Sequence, residues 1–179
     1  LAVVPIRSFD DAKSRLTPML DGPARRSLTI ELAAGVLAAL GDVACRVATN
    51  DPEVVAWAGG LGVSVVSPTE PGLNAAATAG LEVARREGFA TVAIVHADLA
   101  RPARLGAVLE SVDAGRGVVI VPDRHGDGTN VLVVPAGASF EFAYGPGSFG
   151  QHRTEAGRHS LAIDIPAGFA ELGLDIDTP

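Results

Sequence analysis

Short apolar runs rich in valine, isoleucine and alanine recur along the chain, and nearly every one is followed by a stretch with helical spacing. Residues 2–6, 43–49, 63–66, 91–95, 117–121, 131–134 and 161–165 read as strands. Residues 23–40 form the clearest helix. Asp21 or Gly22 can cap it, Pro23 suits its first turn, and Leu28, Leu32, Val36 and Leu40 recur at a helical period. Shorter helices are expected over 52–57, 74–87, 102–111 and 148–158. Strands that alternate with helices bury themselves as a mostly parallel sheet with helices on both faces. The run 91–95 is apolar on both faces and belongs near the centre of that sheet. A hairpin-like return near Val131 predicts one antiparallel strand.

A length of 179 residues suits one domain, 1–179, that buries its core without staples. No apolar run reaches the length of a membrane helix, and no signal peptide is read at the start. Leu1 opens the chain and Met19 is the sole methionine, so a native start upstream is expected. Cys45 is the single cysteine, which excludes a disulfide framework and makes a reduced, cytoplasmic setting the expectation. A net charge of −7 excludes a general nucleic-acid binder, yet an anionic small ligand is still served by local basic residues.

Such residues follow the first strand. Arg7, Lys13 (the only lysine) and Arg15 lie within nine positions, in the kind of loop where open α/β sheets bind ligands. The P-loop pattern and G-x-G-x-x-G are both absent. The plainer reading is a solvated loop with Asp10 and Asp11 as ionic partners. Asn74 stands where it can cap the helix from 74, or offer its amide to a purine edge. Asp98 follows the central strand, where a carboxylate is costly unless paired or metal-bound, so it is a candidate Mg²⁺ ligand; otherwise it caps the segment near Pro102. Asp175 and Asp177 share one face of an extended end segment and complete a candidate metal trio. Two glycine-rich loops, 121–130 and 144–152, flank the strand at 131–134. Their backbone N–H groups, the hydroxyls of Thr129 and Ser148, and charge from Arg124, His125 and His152 make an inventory for binding phosphate or carboxylate. Ser148 also opens a helix, whose N-terminus favours an anion.

Taken in order, Pro5-Ile6-Arg7, Ala12-Lys13-Ser14-Arg15-Leu16, Gly72-Leu73-Asn74, Ala97-Asp98-Leu99, G-x-G-T-N at 126–130, G-x-G-S-F-x-x-H at 145–152 and D-I-D-T-P at 175–179 resemble the 2-phospholactate or phosphoenolpyruvate guanylyltransferases of coenzyme F420 biosynthesis, over essentially the whole chain. The resemblance implies a Rossmann-like nucleotide-diphospho-sugar transferase fold. It implies transfer of GMP from GTP to a small 2-phospho acid, with release of diphosphate. It implies Arg7, Lys13 and Arg15 on the nucleotide phosphates, with Lys13 and Arg15 catalytic beside Asp98. Asn74 would lie near the base, Mg²⁺ on Asp98, Asp175 and Asp177, and the acceptor acid on Thr129, Gly145 and Ser148. The expected partners are GTP, the phospho acid and, transiently, the next transferase of the pathway; no nucleic acid or membrane is expected. Arg7 departs from the family's frequent lysine, and Ala100 from its common proline. The alternatives are a molybdenum-cofactor or sugar-phosphate nucleotidyltransferase, which usually carries a glycine-rich loop after the first strand, and a non-catalytic GTP or phospho-acid binding module.

Overall fold

A computed structural model describes residues 1–10, 13–110 and 117–176. Among the described residues, seven strands form one sheet: β1 (Ala2–Pro5), β2 (Cys45–Ala48), β3 (Ser64–Val66), β4 (Thr91–Val95), β5 (Gly117–Pro122), β6 (Thr129–Pro135) and β7 (Ala162–Asp164). Their order across the sheet is β3-β2-β1-β4-β6-β5-β7, so β4 is central, as its two apolar faces require. Every pairing is parallel except those of β6, which runs against both β4 and β5. This is the α/β fold with one antiparallel strand that the pattern predicts.

The two sheet faces are covered separately, because successive side chains of a strand point to opposite faces. On one face Ala2, Val4, Ala93, Val95, Val131 and Val133 pack against α1 (Gly22–Ala39), α2 (Pro52–Gly60) and α4 (Leu105–Glu110). On the other, Val3, Val92, Ile94, Leu132 and Val134 pack against α3 (Leu73–Arg86) and α5 (Ser148–Arg158). The approach of α3 is close: a Cβ on Gly80 would stand 2.7 Å from Val3. Asp21 caps α1 by accepting from Ala24 N–H at 2.8 Å, and Asp51 caps α2 through Glu53 and Val54. A 3-10 segment, Ala167–Gly173, has no counterpart in the hydrophobic periodicity. Among the described residues no helix is long and apolar enough to cross a membrane.

Antiparallel β6 sets the position of the site. In a parallel sheet each strand ends at the carboxyl edge and begins at the far one. Because β6 is reversed, it begins at that edge: Val95, the last residue of β4, pairs with Val131 near the start of β6. Thr129 and Asn130 are thereby brought beside His96, whose backbone N–H donates to Asn130 O at 3.0 Å.

Candidate functional site

A cleft opens where β1 and β4 part, the point at which strand order reverses and α/β sheets bind ligands. Its inner compartment, about 250 Å³, is lined by Arg7, Ser8, Lys13, His96 and Asp98 among others. An outer compartment of about 540 Å³ continues from it past Pro5, Ile6, Arg7 and Leu73 toward Asn50, Pro68 and Glu70.

Lys13 and Asp98 close the inner compartment as an ion pair between Nζ and Oδ2. Lys13 is only 8% exposed and holds a left-handed backbone conformation (φ 59°), which a non-glycine residue adopts only when its surroundings demand it. The pair connects loops 85 residues apart. It also corrects two local readings. Asp98 does not cap the segment at Pro102, where Arg101 holds the cap position without a side-chain bond. Asp10 does not neutralise the loop's own cations: it binds Arg26 of α1 at 2.8 Å, and Arg26 also grips Glu53 of α2. Phe9, buried against Trp57, fixes the loop to the core. Arg7 is exposed and lines both compartments, while Asp11 lies outside the described residues. Arg15 is exposed in the short 3-10 turn that follows Lys13.

The chain end reaches the same place. Asp175 bridges Leu99, Ala100 N–H donates to Leu174 O at 2.8 Å, and Ile176 N–H donates to Asp98 O at 3.3 Å. Asp175 Oδ1 stands 3.5 Å from the amide of Asn130. Asp98 and Asp175 therefore belong to hydrogen-bonded segments, while Asp177 lies outside the described residues. Two hard carboxylates beside the cleft that Arg7 and Lys13 line are the donor type that Mg²⁺ takes. Among the described residues, no three His, Cys, Asp or Glu side chains gather around a single ion position. Beside them, His96 places Nδ1 4.0 Å from Asp98 Oδ1, and its Nε2 is buried with no partner among the described residues. Burial lowers its pKa against the opposing pull of Asp98 and Asp175.

The two glycine-rich loops differ from the sequence inventory. In the first, Asp123 Oδ1 accepts from the N–H groups of His125 and Asp127, each at 3.0 Å. Burial opposes ionisation of Asp123, but backbone N–H groups of Asp127, Gly128, His125 and Gly126 outweigh it and hold the carboxyl below its usual range. A Cβ on Gly128 would lie 2.8 Å from Asp123 Oδ2, so a side chain there would have to displace the carboxylate. In the second loop, Gly147 N–H donates to Asp127 Oδ2 at 3.1 Å and Phe149 N–H to Asp127 O at 3.0 Å. Donors expected to face a ligand thus serve the chain's own carboxylates and, from Phe149, a backbone carbonyl.

His152 is corrected as well. It is fully buried, and burial, followed by the proximity of His96, lowers its pKa to about 4, so it adds no positive charge at neutral pH. Ala143 N–H donates to its Nε2 at 3.1 Å, which leaves the ring proton on Nδ1, 3.0 Å from Thr129 Oγ1. Ser148 Oγ is 3.5 Å from the same Thr129 oxygen, and Ser148 N–H donates to Gly145 O at 3.1 Å. Thr129, Gly145 and Ser148 are thereby brought together around a neutral imidazole. The hydroxyl residues are 1% and 2% exposed.

Asn74 does not cap α3. Gly72 holds that position, and both ends of the Asn74 amide go to Tyr144: Oδ1 accepts from its N–H at 2.7 Å and Nδ2 approaches its O at 3.4 Å. The amide that suits a purine edge is engaged by backbone instead. The residues missed in the sequence are His96, Asn50 and Glu70, which line the cleft; their position just past the ends of β4, β2 and β3 was the available signal.

Residues 1–179 match the family described as guanylyl transferase CofC like. Among similar sequences, the phosphoenolpyruvate guanylyltransferase of Rubrobacter xylanophilus is 35% identical, over 99% of this chain and 89% of its own length. The enzyme of the same name from Conexibacter woesei is 36% identical, over 99% and 83%. Among solved structures, a nucleotidyl transferase from Methanothermobacter superposes with a TM-score of 0.65 at 19% identity, covering 99% of this chain and 91% of that one. A protein of Desulfovibrio desulfuricans assigned as a nucleotide-diphospho-sugar transferase reaches a TM-score of 0.77 at 13% identity, covering 99% and 81%. These structural likenesses carry the fold.

Proposed function

The chain belongs to the CofC-like guanylyl transferase family and is a nucleotidyltransferase; on that premise we propose that it joins GMP from GTP to phosphoenolpyruvate, or to 2-phospho-L-lactate, in the assembly of coenzyme F420. The observation that carries this reading is the Lys13–Asp98 pair in the cleft between β1 and β4, with Arg7 alongside and the Thr129–Ser148 cluster at the same edge of the sheet.

The acceptor phosphate is already an anion, so no side-chain nucleophile is needed. One of its oxygens forms a bond to the α-phosphorus of GTP as the bond from that phosphorus to the bridging oxygen breaks, and diphosphate leaves with the electron pair. No net proton is moved. The protein's task is to position two anions and offset their repulsion. Arg7, Lys13 and Arg15 hold the nucleotide phosphates. Thr129, Gly145 and Ser148 orient the acceptor, with His152 kept neutral so that it fixes the Thr129 hydroxyl. Asp98 and Asp175, with Asp177 as the third carboxylate, would hold Mg²⁺, which when bound supplies charge neutralisation at phosphate oxygens.

Diphosphate release with Mg²⁺, GTP and each of phosphoenolpyruvate, 2-phospho-L-lactate and 3-phosphoglycerate tests the reading, with ATP as the parallel nucleotide. Turnover with GTP and phosphoenolpyruvate is expected. Silence with every acceptor, maintained when the next transferase of the pathway is added to consume the product, would turn the reading to a binding module.

A further inference from the structure

The outer compartment of the cleft lies on the β2 side of β1, away from the Lys13–Asp98 pair, and continues from the inner one past Arg7. A nucleotide with its phosphates at Lys13 therefore extends its base toward Asn50, Pro68 and Glu70. The volume of about 540 Å³ suits a base with its ribose.

The polar groups lining this compartment are largely engaged. Asp51 Oδ1 accepts from the N–H groups of Glu53 and Val54. Thr49 Oγ1 accepts from Asp51 N–H at 3.1 Å. Asn50 donates from Nδ2 to Pro68 O at 2.7 Å, which ties the end of β2 to the loop that carries Glu70. Glu70 is exposed and, among the described residues, makes no hydrogen bond or ion pair. Of the two carboxylates on the compartment's wall, Asp51 and Glu70, it is the one with both oxygens unengaged among the described residues.

Guanine presents two donors side by side, N1–H and the 2-amino group, and a carboxylate can accept from both at once. Adenine presents an acceptor at N1 and only C–H at position 2, so the same carboxylate meets a lone pair. We infer that Glu70 is the residue that selects guanine over adenine, held at the mouth of the outer compartment by the Asn50–Pro68 bond. The inference rests on the proposed GTP-dependent reaction and adds to it the group that reads the base.

The test compares GTP, ITP and ATP, since ITP lacks only the 2-amino group. Diphosphate release is measured for the wild-type chain, Glu70→Gln and Glu70→Ala. The wild type is expected to favour GTP over ITP and, more strongly, over ATP. Glu70→Ala is expected to lower kcat/KM for GTP roughly ten- to hundred-fold, with a smaller loss for ITP and none for ATP. Glu70→Gln, which keeps an acceptor oxygen without the charge, should fall between. GTP:ITP and GTP:ATP ratios unmoved by Glu70→Ala, or a wild type indifferent to the 2-amino group, would overturn the assignment while leaving the guanylyl transfer reading intact. Absence of turnover with every nucleotide strikes that reading instead. Calorimetric titration of GDP, IDP and ADP onto the same three proteins then decides the role of Glu70 without turnover, by the same expected order and the same contrary result.

Discussion

The loop after β1 and the glycine-rich loops around β6 differ in how far the fold leaves their polar groups free for a ligand. The first has no glycine and reads equally as a ligand loop or as a solvated charged stretch, and the fold delivers its Arg7 to a cleft and buries its Lys13 against Asp98. The others are rich in glycine, hydroxyl and amide groups and read as an anion cradle, yet Asp123 and Asp127 take up much of their donor capacity. A glycine-rich loop is a site for an outside anion only if no carboxylate of its own reaches the N–H groups first. A charged loop becomes a site when the fold supplies a distant partner for one of its charges.

The largest effect should come from the first region. Asp98→Asn is expected to lower kcat roughly 10²–10³-fold, read by diphosphate release, while costing only on the order of 1 kcal/mol in a denaturant titration. Normal turnover in that variant would remove Asp98 from the reacting centre and erase the contrast.

The next is a pH effect in the second region. His152 has a folded pKa of about 4 against an ordinary 6.5. The unfolded chain therefore binds this proton more readily. The stabilisation is complete above about pH 6.5, falls between there and about pH 4, and then levels off. The loss amounts to roughly 3 kcal/mol at the acid end. Thermal unfolding of the wild type between pH 7 and pH 4 should show this decline, and a folded His152→Gln variant should lack that portion of it. An equal decline in both would mean that His152 is not the group responsible.

A smaller effect is expected at the strut between the regions. Asn74→Ala removes one good hydrogen bond and one long one to Tyr144, a loss of about 1 kcal/mol in chemical denaturation. Its GTP:ATP ratio should move far less than that of Glu70→Ala. A selectivity change as large as that of Glu70→Ala would return Asn74 to the base.

The smallest is Asp123→Asn. Asp123 is depressed in the folded chain, so its contribution is present above the ordinary carboxyl pKa of 3.8 and is lost as pH falls through its lower folded value. The variant should lose a little stability at neutral pH and show a shallower acid limb below pH 4. If the loop instead binds phosphate more tightly once that carboxylate is neutral, titration with inorganic phosphate will reveal it, and the nest will have been a ligand site held shut.

Sequence alone was enough wherever the cause is local. The central place of 91–95 follows from its two apolar faces, the start of α1 from Asp21 or Gly22 ahead of Pro23, and the reversed strand from the hairpin-like return near Val131. Ordered motifs along the chain identified the family. Tertiary structure decided which charges meet. Lys13 and Asp98 are 85 residues apart and join only because β1 and β4 are neighbours in the sheet. Thr129 reaches the carboxyl edge only because β6 runs backwards, and His152 is neutral because the core buries it with His96 nearby, while Thr129 and Ala143 engage its two nitrogens. A spacing in sequence records how often apolar side chains recur. It carries no record of burial or of the partner a polar group finds when the sheet closes, and those two set the charge on each group at this site.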